Sequence, residues 1–284
     1  MSSRPEAQEA PAKLNLYLHV VGKRPDGYHL LDSLVVFADL HDSVTAAPAD
    51  DLSLTMDGPF ARGLDTGDSN LVLRAARALA AAHGIEPRAR LTLTKRIPVA
   101  AGLGGGSADA AATLRTLSTL WGVAIPPGLA LTLGADVPAC LNGRPVFLSG
   151  IGEILRPAPA LPPVGLLLVN PGVELPTQAV FRKRSGRFGL PAPYNRAPGD
   201  AAALVQFLRH RNNDLTVAAM QLQPAVRAAI AVVAATPACL MARMTGSGAT
   251  VFGLFADEEA AGIAALTVRA DRPDWFVWSG GLRR

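Results

Sequence analysis

The sequence of 284 residues contains little cysteine and few aromatic residues. Its two cysteines, Cys140 and Cys239, stand alone, without the Cys-x-x-Cys spacing of a metal site or the cysteine density of a disulfide-bonded secreted domain. Three Trp, three Tyr and nine Phe leave few platforms on which single-stranded nucleic acid could stack. Lys+Arg 27 against Asp+Glu 23 gives a net charge of only +4, and the basic residues are scattered. A solvated basic face is therefore favoured over a nucleic-acid-binding surface.

Long hydrophobic runs are also missing. The longest stretch without a charge, Thr116–Ala135, is interrupted by glycines and by the turn Pro126–Gly128, so it predicts two helical pieces and a turn. The first residues, Met1–Glu6, lead to polar residues rather than an apolar segment, which predicts a polar tail over 1–10 and no signal peptide. We therefore expect a cytoplasmic protein that has no membrane partner.

The chain nevertheless has ample material for a packed core, because 49% of its residues are hydrophobic and only 18% are charged. Hydrophobic periodicity and turn residues predict strands at 14–20, 34–37, 90–95, 165–169, 240–244, 250–255 and 275–278, and helices at 71–79, 107–121, 201–210, 224–235 and 257–270. A surface loop is predicted over 184–200. Strands and helices that do not alternate regularly predict an α+β fold with two parts, 1–156 and 157–284, separated near the Pro-rich stretch Pro157–Pro163.

The most informative segment is a glycine-rich loop between the predicted strand at 90–95 and the predicted helix at 107–121. Four of the five residues from Gly102 to Gly106 are glycines, which can adopt positive φ and approach a ligand closely. The free N–H groups at a helix start suit phosphate oxygens, and Ser107, the predicted N-cap, adds a hydroxyl for a phosphate or its metal. The loop lacks the Gly-Lys-Ser/Thr ending of a Walker A loop and does not fit a dinucleotide fingerprint. A tight turn without a ligand is the alternative.

This loop resembles a motif of the GHMP small-molecule kinases. Pro98–Ser107 matches their Pro-x-x-x-Gly-Leu-Gly-Gly-Gly-Ser segment, Pro11–Leu16 is similar to their N-terminal motif, and Met244–Phe252 is similar to their third, glycine-rich motif. Further segments narrow the resemblance to the 4-diphosphocytidyl-2-C-methyl-D-erythritol kinases: Lys13–Leu16, Arg24–His29, Leu133–Pro138, Gly150–Leu155 and Asn213–Leu215. The resemblance extends from Pro11 to Phe255.

The resemblance implies a two-domain GHMP kinase fold. A ribosomal-protein-S5-like N-terminal domain over 1–156 would bind ATP, and a ferredoxin-like C-terminal domain over 157–284 would bind substrate. It further implies that the γ-phosphoryl group of ATP, accompanied by Mg²⁺, is transferred to the 2-hydroxyl of 4-diphosphocytidyl-2-C-methyl-D-erythritol (CDP-methylerythritol below) in non-mevalonate isoprenoid synthesis. The partner would then be this small molecule, and the protein would be a monomer or a weak homodimer.

The family's catalytic residues correspond to Asp136, in Gly-Ala-Asp-Val-Pro, and to Lys13. The resemblance implies that Asp136 accepts the hydroxyl proton and that a buried Lys13 keeps this carboxylate ionised and stabilises a developing alkoxide. Each residue also has a structural interpretation. Asp136 could cap a helix that starts at Val137, and Lys13 could be an exposed lysine on an edge strand.

The binding residues are also taken from the resemblance. Tyr28 and Phe181 would sandwich the cytosine, His29 would read its edge, and Asn15 would contact the methylerythritol part; core packing and a solvent-facing position are the alternatives. Gly246, Ser247 and Gly248 would line the substrate phosphates or support the first loop. The expected ATP-binding residues are Pro98, Val99, Ala100, Ala101, Gly102, Leu103, Gly104, Gly105, Gly106, Ser107 and Ala108, with Asn70 and Lys95 near the adenosine. Ala108 replaces a common second serine of the family.

Two other functions stay open at this point. A GHMP kinase for a sugar or a homoserine-like alcohol would share the glycine motifs but would not need the cytosine set of Tyr28, His29 and Phe181. A catalytically silent nucleotide-binding or RNA-binding protein could use the S5-like fold. The presence of both Lys13 and Asp136 argues against it.

Overall fold

The computed structural model describes residues 7–283 and divides them into two compact units. The first unit contains the described residues up to Ala12, Leu40–Val99 and Gly104–Gly143; the second contains Lys13–Asp39, Ala100–Leu103 and the chain from Arg144 onward. The predicted boundary between 156 and 157 falls inside the second unit, and as a division into functional domains it stays a prediction. Residues 1–6 of the predicted polar tail lie outside the described residues. The remainder of that prediction is wrong, because a strand begins at Gln8.

The secondary structure mixes strands and helices along the whole described chain. The strands are β1 (Gln8–Lys23), β2 (His29–Ala47), β3 (Leu52–Asp57), β4 (Ala89–Thr94), β5 (Val146–Gly150), β6 (Ile154–Pro157), β7 (Gly165–Asn170), β8 (Met241–Met244), β9 (Val251–Phe255) and β10 (Phe276–Gly281). The helices are α1 (Leu71–His83), α2 (Gly105–Trp121), α3 (Leu129–Leu133), α4 (Val137–Asn142), α5 (Thr177–Lys183), α6 (Ala201–Arg209), α7 (Thr216–Leu222), α8 (Ala225–Ala234) and α9 (Glu258–Asp271).

In the first unit, β4 lies between two strands of the sheet and pairs with both. It pairs in parallel with β3 and antiparallel with Ser43–Ala47 of β2. Helix α1 packs on α2. Asn70 caps α1 by accepting a hydrogen bond from the N–H of Val72, and Gly84 ends the helix at φ 63°. The predicted capped helix is thereby confirmed.

The second unit contains a four-stranded antiparallel sheet in the order β10-β7-β9-β8. Helices α8 and α9 pack against it, and the shared core includes Leu167, Val169, Val251 and Phe255. Elsewhere in this unit, β5 pairs antiparallel with Leu31–Val35 of β2 and with β6. These elements do not follow a regular βαβ alternation, so the predicted α+β class is confirmed.

The start of helix α2 differs from the prediction. The N-cap is Gly104, with φ 65°, and the helix begins at Gly105, whereas Ser107 had been expected to cap it. Ser107 lies within the first turn instead. The reason is that a glycine adopts the left-handed conformation at low cost, so the chain turns into the helix three residues earlier than a serine cap would allow. Within residues 7–283, no helix is both long and apolar enough to cross a bilayer.

The segment 184–200 has no helix or strand, as predicted, but it is more than a surface loop. The N–H of Ala192 donates to Oδ2 of Asp32 at 2.8 Å, and the carbonyl of Ala192 accepts from Nε of Arg211 at 2.6 Å. The Tyr194 side chain is buried. Polar contacts and one buried ring therefore hold this segment against the rest of the second unit.

Candidate active site

The glycine loop has the backbone conformation that its composition predicts. Gly102 and Gly104 have φ of 75° and 65°, and Ala100 also has a positive φ, 54°. The N–H groups in the first turn of α2 have no carbonyl partner within the helix. A Cβ added to Gly106 would meet no atom within 4 Å, so the space beside this turn is open. Open space next to N–H donors at a helix start is suited to phosphate oxygens.

Within the second unit, the loop residue Gly102 packs directly against the turn between β8 and β9. A Cβ on Gly102 would lie 2.5 Å from the carbonyl oxygen of Gly248, and a Cβ on Gly246 would lie 2.8 Å from that of Gly102. The N–H of Thr250 donates to the carbonyl of Ala101 at 3.3 Å. The third glycine motif is therefore the hairpin turn that supports Ala100–Leu103, backbone against backbone.

Lys13 and Asn15 lie in the same part of the second unit. Both are buried, with exposed fractions of 4% and 3%. Nζ of Lys13 donates to Oδ1 of Asn15 at 2.9 Å, and the Lys13 N–H donates to the carbonyl of Leu103 at 2.8 Å. Asn15 in turn donates through Nδ2 to Oγ of Ser33 and through its N–H to Oγ1 of Thr245. The alternatives of an exposed edge-strand lysine and a solvent-facing asparagine are therefore wrong.

Asp136 occupies the N-cap position of α4 in the first unit. It is half-buried, and its side chain makes no capping hydrogen bond to the helix. Pro138 follows in the first turn and, lacking an N–H, has no donor to offer such a cap. Helix capping is therefore not what this carboxylate does here. Asp136 belongs to the first unit and Lys13 to the second, and their pairing stays a prediction.

The residues expected to bind cytosine lie near one another in the second unit. The rings of His29 and Phe181 stack, with centroids 5.1 Å apart and an interplanar angle of 26°. Tyr28 precedes His29 and is 60% exposed. Burial, and then the charges of Lys23 and Arg184, lower the pKa of His29. A neutral imidazole can donate through one nitrogen and accept through the other, as reading the edge of a base requires.

The two residues expected near the adenosine use their side chains elsewhere in the first unit. Oδ1 of Asn70 caps α1, and its Nδ2 donates to the carbonyl of Asp65 at 2.7 Å. Nζ of Lys95 is buried and donates to Asp42 and Asp109. These bonds already occupy both side chains in part, and the assignment of Asn70 and Lys95 to adenosine stays a prediction.

Ser247 and its neighbours are held by side chains that the sequence did not single out for a role. Oγ of Ser247 lies 2.9 Å from Oγ1 of Thr177. Nδ2 of Asn213 donates to the carbonyls of Met244 and Gly246 at 2.9 and 2.8 Å. Asn213 thus fixes the turn that carries Gly246, Ser247 and Gly248. Its place in the Asn-Asp-Leu segment was the one available signal.

Arg243 is a second residue whose role the sequence did not reveal. It lies on β8 and donates through its guanidinium to the carbonyls of Leu16, Leu208 and Arg211 at 2.7, 3.0 and 2.6 Å. Burial, together with the charge of Arg211, lowers its pKa to about 10. Arg243 therefore anchors β1 close to Lys13 and Asn15.

The buried Lys95 cluster should make stability depend on pH through Asp109. Burial, with a further contribution from Asp42 and against the opposing effect of Lys95, raises the Asp109 pKa from 3.8 to about 7. The folded state therefore holds a proton between about pH 4 and 7 that the unfolded chain has released. The contribution of this proton to the free energy of unfolding is full below about pH 4. It falls as the pH rises and is lost once the pH passes about 7.

Asp109→Asn removes this titration. We expect the free energy of unfolding of the wild type to fall between pH 5 and 8 by roughly 1–3 kcal/mol more than that of Asp109→Asn. Urea unfolding of both proteins at the two pH values measures the difference. Parallel pH dependence in the two proteins would contradict the raised pKa.

Comparison with known proteins identifies the family of the chain. Two family models match, GHMP kinases N terminal domain over residues 70–144 and GHMP kinases C terminal over residues 196–273. A curated 4-diphosphocytidyl-2-C-methyl-D-erythritol kinase of Paramagnetospirillum magneticum is 54% identical over 273 residues, which cover 95% of either chain. The chain belongs to the 4-diphosphocytidyl-2-C-methyl-D-erythritol kinase family.

A second member of the 4-diphosphocytidyl-2-C-methyl-D-erythritol kinase family, from Rhodospirillum rubrum, is 52% identical over 274 residues, 95% of this chain and 90% of that one. The crystal structure of a 4-(cytidine 5'-diphospho)-2C-methyl-D-erythritol kinase superposes with a TM-score of 0.81 at 36% identity and covers 98% of this chain and 100% of that one. The two-domain GHMP kinase fold implied by the sequence motifs is therefore confirmed.

Proposed function

We propose that this protein transfers the γ-phosphoryl group of ATP to the 2-hydroxyl of CDP-methylerythritol, a step of non-mevalonate isoprenoid synthesis. The observation that carries the proposal is the 54% identity, over 95% of both chains, with a kinase that bears the name of this substrate. The chain also carries Lys13, Asp136 and the glycine loop at the positions that the family's motifs require.

ATP would be bound by the glycine loop. Phosphoryl transfer depends mainly on positioning and on neutralising charge, and the N–H groups of Gly105, Gly106 and Ser107 supply donors at the helix start. In residues 7–283, no three His, Cys, Asp or Glu side chains form a group that could hold a metal ion. An Mg²⁺ ion would be held mainly by the triphosphate and water, with the Ser107 hydroxyl as the contribution of the chain. Bound in this way, Mg²⁺ would neutralise charge on the phosphates.

Asp136 would accept the proton of the attacking hydroxyl. A carboxylate with a pKa near 3.9 cannot deprotonate an alcohol early, but it can take the proton late, as bonding to phosphorus makes the hydroxyl acidic. Lys13 would hold the carboxylate ionised and stabilise negative charge on the attacking oxygen. Burial of Lys13 supports this role, because an ammonium acts more strongly where water is excluded.

The substrate would be recognised through its cytosine, its diphosphate and its sugar-alcohol part. Tyr28 and Phe181 would stack on the base while His29 reads its edge. Asn15, whose amide is already oriented by Lys13 and Ser33, would contact the methylerythritol part. The turn that carries Gly246, Ser247 and Gly248 would face the phosphates.

A coupled assay for ADP tests the proposed function. Purified protein with ATP and Mg²⁺ is expected to turn over CDP-methylerythritol and to ignore galactose and homoserine at the same concentration. Turnover of galactose or homoserine without the cytidine substrate would assign another branch of the GHMP kinases. Nucleotide binding without any turnover would favour a catalytically silent protein.

Phe181→Ala is expected to weaken binding of the substrate through its base. Stacking on an aromatic ring contributes about 1–3 kcal/mol per base, so the KM for CDP-methylerythritol should rise by about tenfold or more while the KM for ATP stays unchanged. Phe188→Ala is the matched control, because Phe188 is also a partly exposed phenylalanine of the second unit, with Arg184 over its ring. Equal effects of the two substitutions on the KM for CDP-methylerythritol would argue against Phe181 as a cytosine contact.

We further infer that the protein acts in the cytoplasm on a small molecule, without a nucleic-acid or membrane partner, as a monomer or a weak homodimer. Its isolated cysteines and scattered basic residues support this inference. Sedimentation of the purified chain over a range of concentrations measures the oligomeric state.

A further inference from the structure

A buried ion cluster lies next to the glycine loop and has no part in the mechanism above. Asp42 of β2, Lys95 directly after β4 and Asp109 of α2 meet within the first unit, with side chains 0%, 5% and 5% exposed. Nζ of Lys95 lies 2.5 Å from Oδ2 of Asp42 and 2.7 Å from Oδ2 of Asp109. One ammonium thus links two carboxyl groups that are far apart in the sequence.

Asp42 fixes the chain where it enters the loop. Its second oxygen, Oδ1, accepts hydrogen bonds from the N–H groups of Arg96 and Ile97 at 2.5 and 2.8 Å. The next residue is Pro98, where the glycine loop begins. Two successive N–H groups bound to one buried carboxylate leave the backbone little freedom at this point.

Asp109 fixes the chain where it leaves the loop. It lies in helix α2, which starts directly after the N-cap Gly104. A Cβ on Gly105 would be 3.5 Å from Nζ of Lys95 and 3.7 Å from Oδ2 of Asp42, so the first turn of α2 rests on the ion cluster. Lys95 therefore connects the entry of the loop, through Asp42, with its exit, through Asp109.

The energetics of the cluster argue against a contribution to stability alone. Burying charges costs free energy that their attraction often fails to recover, and apolar side chains of similar size would stabilise the fold as well or better. Oδ1 of Asp109 is buried and has no hydrogen-bond partner in the described part of the chain, which adds to this cost. Unlike apolar packing, the cluster fixes the geometry between the two ends of the loop.

We propose that Asp109, acting through Lys95 and Asp42, is a positioning residue that holds the two ends of the glycine loop in the arrangement that binds the triphosphate of ATP. The inference rests on the proposed function, because it takes ATP as the ligand of this loop. Asp109 touches neither the nucleotide nor the reacting atoms in this proposal. Its effect should appear in nucleotide affinity more than in the chemical step.

Asp109→Ala removes the link between the two ends of the loop without leaving an unpaired buried charge. It leaves one ammonium and one carboxylate, Lys95 and Asp42, so the buried charges stay balanced and the protein is expected to fold. The exit of the loop loses its connection to the entry. We expect the KM for ATP and the Kd of a non-hydrolysable ATP analogue to rise about tenfold, and kcat to change by less than about threefold.

Two further variants control for general effects on helix α2. Thr116→Ala removes another buried polar side chain of α2, whose hydroxyl donates to the carbonyl of Ala112 one turn before it. It should leave the KM for ATP and the Kd of the analogue unchanged. Asp109→Asn keeps an oxygen that accepts from the Lys95 ammonium and should restore both values to within about threefold of the wild type. If Asp109→Ala does not fold, Asp109→Ser, which is too short to reach the ammonium, takes its place.

The outcomes separate this inference from the proposed function. The analogue is titrated calorimetrically without acceptor, so its Kd reports on the loop whether or not CDP-methylerythritol is the substrate. Equal Kd values for Asp109→Ala and Thr116→Ala, or no recovery in Asp109→Asn, would overturn the positioning role. A wild type that binds the analogue but does not turn over CDP-methylerythritol would overturn the proposed function and leave the comparison of Kd values valid. A wild type that does not bind the analogue would overturn both.

Discussion

Asp136→Asn is expected to lower kcat about 10²-fold or more while the affinity for ATP changes little. The amide has nearly the same shape as the carboxylate, but it cannot take up the proton of the attacking hydroxyl. Lys13→Ala should have an effect of similar size on kcat, because it removes the proposed cationic partner of the carboxylate. Steady-state kinetics with both substrates, together with the Kd of an ATP analogue, measures these changes.

The control for Asp136→Asn is a second aspartate at a helix N-cap. Asp257 caps α9 by accepting from the N–H of Ala260 at 2.9 Å, a bond that an asparagine oxygen can also accept. Asp257→Asn should therefore leave kcat unchanged. If Asp136→Asn retained turnover near that of Asp257→Asn, Asp136 would not be the base.

Gly102→Ala is expected to reduce kcat/KM by about 10²-fold, because the substitution moves backbone rather than side chains. At φ 75° an alanine is strained, and its Cβ would lie 2.5 Å from the carbonyl oxygen of Gly248 and 3.1 Å from that of Thr245. Neither carbonyl can rotate away as a flexible side chain could. The loop and the hairpin turn would have to separate. Kinetics and thermal unfolding of the variant test this expectation.

Gly262→Ala is the matched control for Gly102→Ala. Gly262 lies inside α9, and a Cβ there would meet no atom within 4 Å. Alanine at this half-buried helical site, where its Cβ would have room, should raise stability by about 1 kcal/mol and leave activity unchanged. A Gly102→Ala protein that matched Gly262→Ala in kcat/KM would show that the close approach of the two motifs is not needed.

The long elements could be predicted from the sequence because their signals are local. Helix α1 has a capping asparagine, an apolar face and a terminal glycine within fifteen residues, 70–84. Short elements such as β6, α5 and α7 were not predicted, since four to seven residues are too few to establish a period. Helix α2 was predicted correctly except at its start, where the glycine conformation rather than the serine side chain decides the boundary.

The residues of the candidate site come from sequence motifs and their roles stay predictions, whereas the surroundings of those residues could be predicted only in part. The motifs pointed to Lys13, Asn15 and Asp136, whereas the burial of Lys13 depends on what packs around β1 and has no local signal. The ion cluster is a clearer case. Asp42 and Lys95 are 53 residues apart, and neither lies in a pattern that would relate it to the other. Contacts of this kind follow from the fold and cannot be inferred from the spacing of charges along the chain.

The contact between the loop and the hairpin turn has a thermodynamic consequence. Ala101 and Leu103 accept hydrogen bonds from Thr250 and Lys13, residues that adjoin β9 or belong to β1. A free glycine-rich loop would lose much backbone entropy on ordering around a ligand, about 1–2 kcal/mol per residue. Here hydrogen bonds formed on folding order these residues beforehand, so a nucleotide that binds this loop would lose less of its contact energy to ordering the backbone.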